Sequence, residues 1–290
     1  MLAYYSVAAD REFWSEHWGG HSVSELLALA RRSPLTDLIT AALPRGARVL
    51  EGGCGLGQYV LLLRERGWPA VGVDWSVEAL AACRQAAPAP LAAMELTRLA
   101  LRDGAVGAYV SLGVVEHDPA GPDAILAEAR RVLVAGGTLV ISVPYVNGVR
   151  RLGAPWIRRR ARALAAAGGA FYQYAFSRGE LLAALARHGF TPLAAHPYDP
   201  ARVLRSVLPR ALAARLRGSA SVQGDEDRGA PRLSRGASEG LGAGGGHVGA
   251  PDSTIGHVGA LHLKWLRRAL YTEPALRLLG HMLLVVARRA

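Results

Sequence analysis

The chain has 290 residues, of which 51% are apolar, and a formal net charge of +11 at neutral pH. This length allows one large buried core or two domains. Its two cysteines, Cys54 and Cys83, are too few for a disulfide framework or a cysteine-rich metal site, so a reducing cytoplasm is the expected compartment. We expect no signal peptide and no membrane-spanning helix, because no apolar run approaches the roughly 20 residues that a bilayer requires.

The positive charge is concentrated in the second half of the chain. Residues 1–149 contain 12 basic and 15 acidic residues, a net charge of −3, whereas residues 150–290 contain 22 basic and 8 acidic residues, a net charge of +14. GC-rich coding would explain the preference for arginine, but not the loss of acidic residues from one half only. The second half is therefore expected to attract polyanions, anionic lipid headgroups or acidic small molecules. Its arginines form two clusters: Arg150, Arg151, Arg158, Arg159, Arg160 and Arg162, and then Arg202, Arg205, Arg210, Arg215 and Arg217.

Strands and helices are predicted to alternate along residues 47–144, after one or two helices within residues 10–32. Repeated strand–helix units of this length indicate a parallel sheet with helices on both faces. The predicted strands are 47–52, 70–74, 89–93, 107–112 and 137–144, and the predicted helices are 57–66, 76–86 and 123–134.

The pattern is looser beyond residue 144. Residues 156–167 predict a basic helix, and an aromatic segment at 171–176 precedes a helix that Ser177 could cap, with Glu180 in the capping-box position. Further strands are predicted at about 190–196 and at 282–287.

Residues 218–260 are rich in Gly, Ser, Ala and Asp, which predicts a disordered or mobile insert. Its two histidines, His247 and His257, could bind a metal, but no clustered Cys or Asp supports such a site.

Three glycines spaced two apart follow the first predicted core strand, in the sequence Val-Leu-Glu-Gly-Gly-Cys-Gly-Leu-Gly-Gln at 49–58. Gly53, Gly55 and Gly57 can adopt backbone angles that are costly for other residues, and they leave no side chain between the loop and a ligand lying across it. A dinucleotide-binding loop would read Gly-x-Gly-x-x-Gly, and that pattern fails at Gln58. The loop is therefore typical of a nucleotide-like ligand other than NAD.

An acidic residue, Asp74, ends the next predicted strand. In an open α/β sheet a carboxylate at this position can accept hydrogen bonds from ribose hydroxyls. A second interpretation is that Asp74 caps the following helix, which begins at Ser76.

Four motifs in this order resemble the class I S-adenosylmethionine-dependent methyltransferases, and within them the branch that includes the ubiquinone and menaquinone methyltransferases. The resemblance covers residues 47–145. The motifs are Glu51-x-Gly53-x-Gly55-x-Gly57, Asp74, Leu-Gly-Val-Val-Glu-His at 112–117, and Arg-Arg-Val-Leu-Val-Ala-Gly-Gly-Thr-Leu-Val-Ile-Ser-Val-Pro-Tyr at 130–145.

The resemblance implies an α/β fold with a Rossmann-like doubly wound sheet of seven strands, the last antiparallel, with helices on both faces and a helical or disordered insertion before the final strand. It divides the chain into an N-terminal helical lid (1–46), an S-adenosylmethionine-binding core (47–148) and an acceptor-side region (149–290) with a flexible basic insert at about 200–278. Four aromatic residues could line the lid or simply pack: Tyr4, Tyr5, Trp14 and Trp18.

The resemblance also implies the cofactor, S-adenosylmethionine, and the residues that bind it. Glu51 would lie near the methionine ammonium, the glycines would admit the methionine and ribose portions, and Asp74 would bind the ribose hydroxyls. The implied cofactor-binding residues are Glu51, Gly53, Gly55, Gly57, Asp74, Trp75, Glu95, Leu96, Leu112 and Gly113.

Fewer residues in the sequence indicate how the acceptor is bound. Glu116 and His117 follow a strand end and are the candidate catalytic residues, with His117 as a general base on a hydroxyl. The alternative is a purely structural loop in which Asp118-Pro119 makes the turn. The sequence departs from the family at Val106-Gly107, where relatives often have Phe-Asp, and no metal is expected. Candidate substrate-binding residues are Tyr145, Asn147, Tyr172 and Tyr174.

Two apolar stripes among arginines predict basic amphipathic helices that either lie on an anionic membrane or pack on the catalytic core. We therefore expect an enzyme that methylates a small-molecule or lipid-like acceptor at oxygen. We expect it in the cytoplasm, with peripheral membrane contact as an open alternative. The other hypotheses are an RNA methyltransferase, against which the lack of a recognisable RNA module argues, and a catalytically silent module that binds the donor, a membrane or a partner. The stripes are Val203, Leu204, Val207, Leu208, Leu212 and Leu216, and Leu263, Leu266 and Leu270.

Overall fold

The computed structural model describes residues 1–6, 13, 18, 20–207 and 268–290. Several expectations lie outside these residues: Trp14, the insert at 218–260 with His247 and His257, Arg210, Arg215, Arg217, and most of both apolar stripes. The side chains of Val203 and Leu270, which belong to the stripes, are described and buried, as packing on the core would make them.

The described elements follow the predicted alternation. The strands are β1 (Leu2–Ser6), β2 (Val49–Gly52), β3 (Ala70–Asp74), β4 (Leu91–Ala93), β5 (Val106–Leu112), β6 (Leu133–Pro144), β7 (Ala170–Ala175), β8 (Phe190–Tyr198) and β9 (Met282–Arg289). The helices are α1 (Val23–Arg32), α2 (Pro34–Ala42), α3 (Gln58–Glu65), α4 (Val77–Ala86), α5 (Asp123–Val132), α6 (Gly148–Leu152), α7 (Ala154–Ala166), α8 (Arg178–Arg187), α9 (Pro200–Val207) and α10 (Glu273–Leu279), with a 3-10 turn at Val115–His117.

Seven strands form one sheet in the order β4-β3-β2-β5-β6-β9-β8. The neighbours from β4 to β6 pair in parallel, and β9 pairs antiparallel with both β6 and β8. The last strand is therefore the antiparallel one, which confirms the Rossmann-like prediction. From β2 the chain proceeds outward to β4 and then returns to β5 on the other side of β2, so the order reverses between β2 and β5. In such sheets ligands bind beyond the carboxyl ends of the strands at this reversal.

Strand alternation divides the core into two layers, one on each face of the sheet. Leu50, Leu139 and Leu283 belong to one cluster of buried residues. Val49 and Leu284, their neighbours along the strands, belong to the other cluster. Successive strand residues point to opposite faces, so apolar residues at consecutive positions indicate a sheet covered by helices on both sides.

A second, two-stranded sheet was not predicted. β1 pairs antiparallel with β7, from Leu2 opposite Ala175 to Ser6 opposite Ala170. The aromatic segment at 171–176 is thus mainly a strand, and α7 packs on the same ribbon through Ala154 and Ile157. Helix α2 was also missed, although Ser33 caps it and Pro34 occupies its first turn, the usual place for proline.

The capping box at the start of α8 gives a test of the fold. The Ser177 hydroxyl accepts the Glu180 backbone N–H, and the Glu180 carboxylate accepts the Ser177 backbone N–H. We expect Ser177→Ala to lower the free energy of unfolding by about 1 kcal/mol in chemical denaturation. Ser22 is the matched control, because it precedes α1 without making a side-chain cap bond. Equal losses for Ser177→Ala and Ser22→Ala would contradict this account.

Candidate functional site

The glycine loop lies at the reversal of the sheet, between the end of β2 and the start of α3. Gly53, Gly55 and Gly57 all adopt left-handed φ angles, of +75°, +52° and +70°. Gly57 is also the N-cap of α3. Since left-handed backbone is costly for residues with a Cβ, the spacing of these glycines follows from the path of the loop.

Side chains from three different segments pack directly against the loop. A Cβ built on Gly53 would lie 2.5 Å from Val114, one on Gly55 would lie 2.6 Å from the indole of Trp18, and one on Gly57 would lie 2.5 Å from Cys83 Sγ. Glycine is therefore required here for close packing as well as for backbone angle. The indole of Trp18 packs over the loop at Gly55.

Asp74 joins the glycine loop to the start of α4. One carboxylate oxygen accepts the backbone N–H of Gly55 at 2.8 Å, and the other accepts that of Ser76 at 2.9 Å. Ser76 itself caps α4 by accepting the N–H of Ala79 at 3.1 Å. Burial raises the pKa of Asp74, and the backbone N–H donors of Ser76, Gly55 and Trp75 oppose that shift. A carboxylate can accept about four hydrogen bonds, so these three donors leave Asp74 able to accept one more.

Glu51 lies beneath the loop and is almost completely buried. Burial raises its pKa well above the usual range for a glutamate, and the backbone N–H of Val60 partly opposes the shift. Among the described residues, none donates a hydrogen bond to its Oε2 atom. A buried acceptor in this state is suited to a cationic or hydrogen-bond-donating group.

The remaining residues expected at the cofactor lie beyond the ends of β3, β4 and β5. The N–H of Met94 donates to Asp74 O at 3.0 Å and brings the chain before Glu95 and Leu96 next to the end of β3. Glu95 is exposed, and Trp75, Leu96, Leu112 and Gly113 are partly exposed. These residues thus line the same edge of the sheet as the glycine loop.

His117 lies in the 3-10 turn that follows β5, three residues after the valine that contacts Gly53. Its Nδ1 atom is 2.9 Å from the carbonyl oxygen of Tyr172, a hydrogen bond that places the imidazole proton on Nδ1. The neutral ring then carries its basic lone pair on Nε2. The His117 and Tyr172 rings also meet edge to face, with centroids 5.4 Å apart.

Glu116 is placed differently from His117, because its side chain is fully buried whereas His117 is partly exposed. A group that exchanges a proton with an acceptor has to reach it. The His117 ring is partly exposed, although its Nε2 atom is buried, and both carboxylate oxygens of Glu116 are buried as well.

A group of aromatic side chains lies on the side of the histidine where Tyr172 packs. Phe13, from the N-terminal segment, meets Tyr172 edge to face at 5.9 Å. Tyr174 packs against Phe171 at 4.6 Å and donates its hydroxyl to Pro119 O at 2.9 Å. Tyr172 therefore contacts His117 directly, and Tyr174 lies against Pro119, two residues further along the chain.

Tyr145 and Asn147 follow β6, and both polar side-chain atoms of Asn147 form hydrogen bonds with backbone groups. Its Nδ2 donates to Gly280 O at 2.8 Å, and its Oδ1 accepts the N–H of Arg150 at 2.8 Å as the cap of α6. Arg150 in turn donates to Tyr145 O at 2.7 Å and to His281 O at 3.1 Å. This set ties the end of β6 to the start of β9, and the bonds to Gly280 and His281 could not be predicted from the sequence because they join residues more than 130 positions apart.

The described part of the chain contains no group of three His, Cys, Asp or Glu residues placed to hold a metal ion. Cys54 and Cys83 are free and buried. None of the described helices is both long and apolar enough to cross a membrane.

A family of known proteins matches the part of the chain that contains the glycine loop and Asp74. Residues 50–141 match the family model described as a methyltransferase domain. No curated protein matches the chain significantly.

Solved structures with the same fold include an S-adenosylmethionine-dependent methyltransferase from Archaeoglobus fulgidus, with 16% identity, a TM-score of 0.52, and coverage of 96% of this chain and 100% of that one. Geranyl diphosphate C-methyltransferase from Streptomyces coelicolor has 16% identity, a TM-score of 0.52, and coverage of 99% and 91%. The cyclase SpnF has 17% identity, a TM-score of 0.53, and coverage of 98% and 98%. At these identities the matches show the fold alone.

The contact between Trp18 and the glycine loop can be tested with two glycines. Gly55→Ala and Gly46→Ala both place a Cβ at a left-handed residue, at a cost of about 1–2 kcal/mol each. Only at Gly55 would that Cβ meet another side chain, whereas nothing lies within 4 Å at Gly46. We expect chemical denaturation to show an additional loss of about 1–3 kcal/mol for Gly55→Ala. A loss no greater than that of Gly46→Ala would show that Trp18 does not cover the loop.

Proposed function

We propose that the chain is a class I S-adenosylmethionine-dependent methyltransferase and that it transfers the methyl group to a hydroxyl of a small-molecule or lipid-like acceptor. The observation that carries the choice of oxygen is the hydrogen bond between His117 Nδ1 and Tyr172 O, at 2.9 Å. This hydrogen bond orients the imidazole beside the ring of Tyr172. His117 lies three residues after Val114, which packs against Gly53 of the glycine loop.

The donor site fits S-adenosylmethionine on three observations. The loop carries no side chain at Gly53, Gly55 and Gly57, the positions where a Cβ would collide with neighbouring residues. Asp74 is oriented by two backbone N–H groups and keeps a lone pair for a ribose hydroxyl. The Oε2 atom of Glu51 is buried, and none of the described residues donates to it, so it suits the methionine ammonium.

When bound, the cofactor supplies an electrophilic methyl group on a sulfonium. The residues of this chain then have to align the acceptor oxygen with that methyl group and exclude water. His117 would hold the acceptor hydroxyl against its Nε2 atom, which is buried in this structure, and would take the O–H proton as that oxygen receives the methyl group. The hydrogen bond to Tyr172 O supports the imidazolium that results, since a carbonyl oxygen accepts from a charged donor more strongly than from a neutral one.

The surroundings of His117 favour an apolar acceptor. Phe13, Tyr172, Phe171 and Tyr174 supply aromatic surface, and the Tyr174 hydroxyl already donates to Pro119 O. The fold does not choose the acceptor atom, because structures that share it include a C-methyltransferase and a cyclase. The assignment to oxygen therefore rests on the histidine.

Donor binding should depend on pH through Glu51. Burial raises the pKa of Glu51, so the free protein retains the Glu51 proton at pH values where an exposed glutamate is ionised. The unfolded chain loses that proton at lower pH, so the free energy of unfolding falls as pH rises from the ordinary glutamate pKa toward the raised one. The donor ammonium favours the ionised form, so binding should release a proton and affinity should rise with pH up to the raised pKa. We expect calorimetry to show this dependence for wild type, and weaker binding that lacks this pH-dependent component for Glu51→Gln.

Glu25→Gln provides the control, since Glu25 is exposed on α1. It should behave as wild type. A wild-type pH dependence retained in Glu51→Gln would remove Glu51 from the ammonium site.

The role of His117 can be tested with tritiated S-adenosylmethionine and a total lipid extract as the source of acceptor. We expect methyl incorporation into the lipid fraction, and a loss of about 10²- to 10⁴-fold for His117→Gln without loss of donor affinity. His196→Gln is the control, because His196 is exposed on β8. Mass spectrometry of the product identifies the methylated atom. Methylation at carbon, incorporation only into an RNA fraction, or full activity of His117→Gln would each contradict the proposal.

A further inference from the structure

Helices α6 and α7 follow one nearly continuous helical path. Gly153, the single residue between them, has helical backbone angles, its N–H donates to Val149 O at 3.0 Å, and its carbonyl accepts the N–H of Ile157 at 3.0 Å. Residues 148–166 can therefore be read with one helical periodicity. Positions three, four and seven apart then lie on the same side.

One side of this path is covered. Ala154 and Ile157, three residues apart, pack with Leu2, Val146 and Ala175. These partners belong to the β1–β7 ribbon and the end of β6. The inner side of the helix thus has its apolar contacts within the protein.

The opposite side carries apolar residues that are open to solvent. Val149, Leu152 and Trp156 follow at spacings of three and four, with exposed fractions of 39%, 83% and 64%. Single exposed apolar residues are ordinary, but three in a row on one side of a helix form a patch. We call Val149, Leu152 and Trp156 the outer apolar row.

Arginines border the outer apolar row, and carboxylates are absent nearby in sequence. Arg151, Arg158, Arg159 and Arg162 are exposed. No Asp or Glu occurs from residue 129 to residue 179. Within the described residues, none of the ion pairs includes these arginines. The guanidinium of Arg160 lies over the Trp156 ring, 5.6 Å from its centroid.

We propose that the outer apolar row and its arginines form a docking surface for a bilayer containing anionic lipids. Arginines beside Leu and Trp are the composition of helices that lie in the membrane interface, where the apolar side chains enter the headgroup region and the guanidinium groups pair with phosphates. Nucleic acid would satisfy the arginines equally well, but its phosphate backbone would leave Leu152 and Val149 in water. The apolar row therefore decides in favour of the lipid surface.

The surface adjoins the acceptor side of the site. The chain passes from α7 directly into β7, and β7 carries Tyr172, whose carbonyl holds His117. A protein docked through α6 and α7 would hold its acceptor-side aromatic residues close to the lipid surface. This step of the inference rests on the proposed function, whereas docking itself does not.

The test is co-sedimentation of the full chain with vesicles, without methyl donor. We expect binding to mixed phosphatidylglycerol and phosphatidylcholine vesicles, and little binding to phosphatidylcholine alone. Arg158→Gln/Arg159→Gln/Arg162→Gln should lower the partition coefficient roughly 100-fold, and Leu152→Ser/Trp156→Ser at least about tenfold. Vesicles with brominated acyl chains should quench tryptophan fluorescence in wild type and clearly less in Trp156→Phe.

Matched controls lie elsewhere on the described surface. Leu193→Ser/Val77→Ser removes two residues that are each 54% exposed, and Arg32→Gln/Arg98→Gln/Arg102→Gln removes three exposed arginines. Both should bind vesicles as wild type. Equal loss in test and control variants would overturn the proposal, as would unchanged binding of Leu152→Ser/Trp156→Ser. Selective loss of labelled single-stranded RNA binding in the arginine variant, with vesicle binding intact, would assign the surface to nucleic acid instead.

Vesicle binding and methyl transfer are measured separately, so the docking surface and the proposed acceptor class can each be disproved without the other. If the vesicles bind as expected but no lipid fraction accepts a methyl group, the docking surface stands and the proposed acceptor class is wrong. If methyl transfer to lipid occurs with no vesicle binding, the docking surface is wrong.

Discussion

The double hydrogen bond of the Asp74 carboxylate is the interaction on which the position of the glycine loop depends. Its two oxygens hold the backbone N–H of Gly55 and that of Ser76, and so fix the glycine loop against the start of α4. Backbone hydrogen bonds from Gly53 and Cys54 to Val73 O join the start of the loop to β3, and the carboxylate extends this connection to α4. A carboxylate that accepts two backbone donors is held in one orientation, which is the condition for presenting its remaining lone pairs to a ligand.

The N-terminal segment connects the two sides of the site. Trp18 contacts the glycine loop, and Phe13 contacts Tyr172 on β7, beside His117. Because β1 pairs with β7, residues 2–6 lie against the strand that carries Tyr172. Described residues of the N-terminal segment therefore contact both the glycine loop and the aromatic residues near His117.

The sequence predicted the parts of the structure that depend on local spacing. Alternating strands and helices, the glycines at 53, 55 and 57, and the capping box at Ser177 all follow from residues close together in the chain. It did not predict the β1–β7 ribbon, because pairing of Leu2 with Ala175 depends on which distant strand is available. For the same reason Asn147 was read as a substrate contact, although its two polar atoms bind Gly280 and Arg150 in the structure.

Charge is arranged differently at the glycine loop and on α7. The acidic residues at the glycine loop, Glu51 and Asp74, are buried, and burial raises the pKa of both. The arginines of α7 are exposed and border apolar side chains. Positively charged ligands are thus favoured at the buried carboxylates and negatively charged ones at the exposed guanidinium groups. Buried carboxylates act at short range and solvent screens exposed arginines, so the two groups of charges can act without cancelling each other.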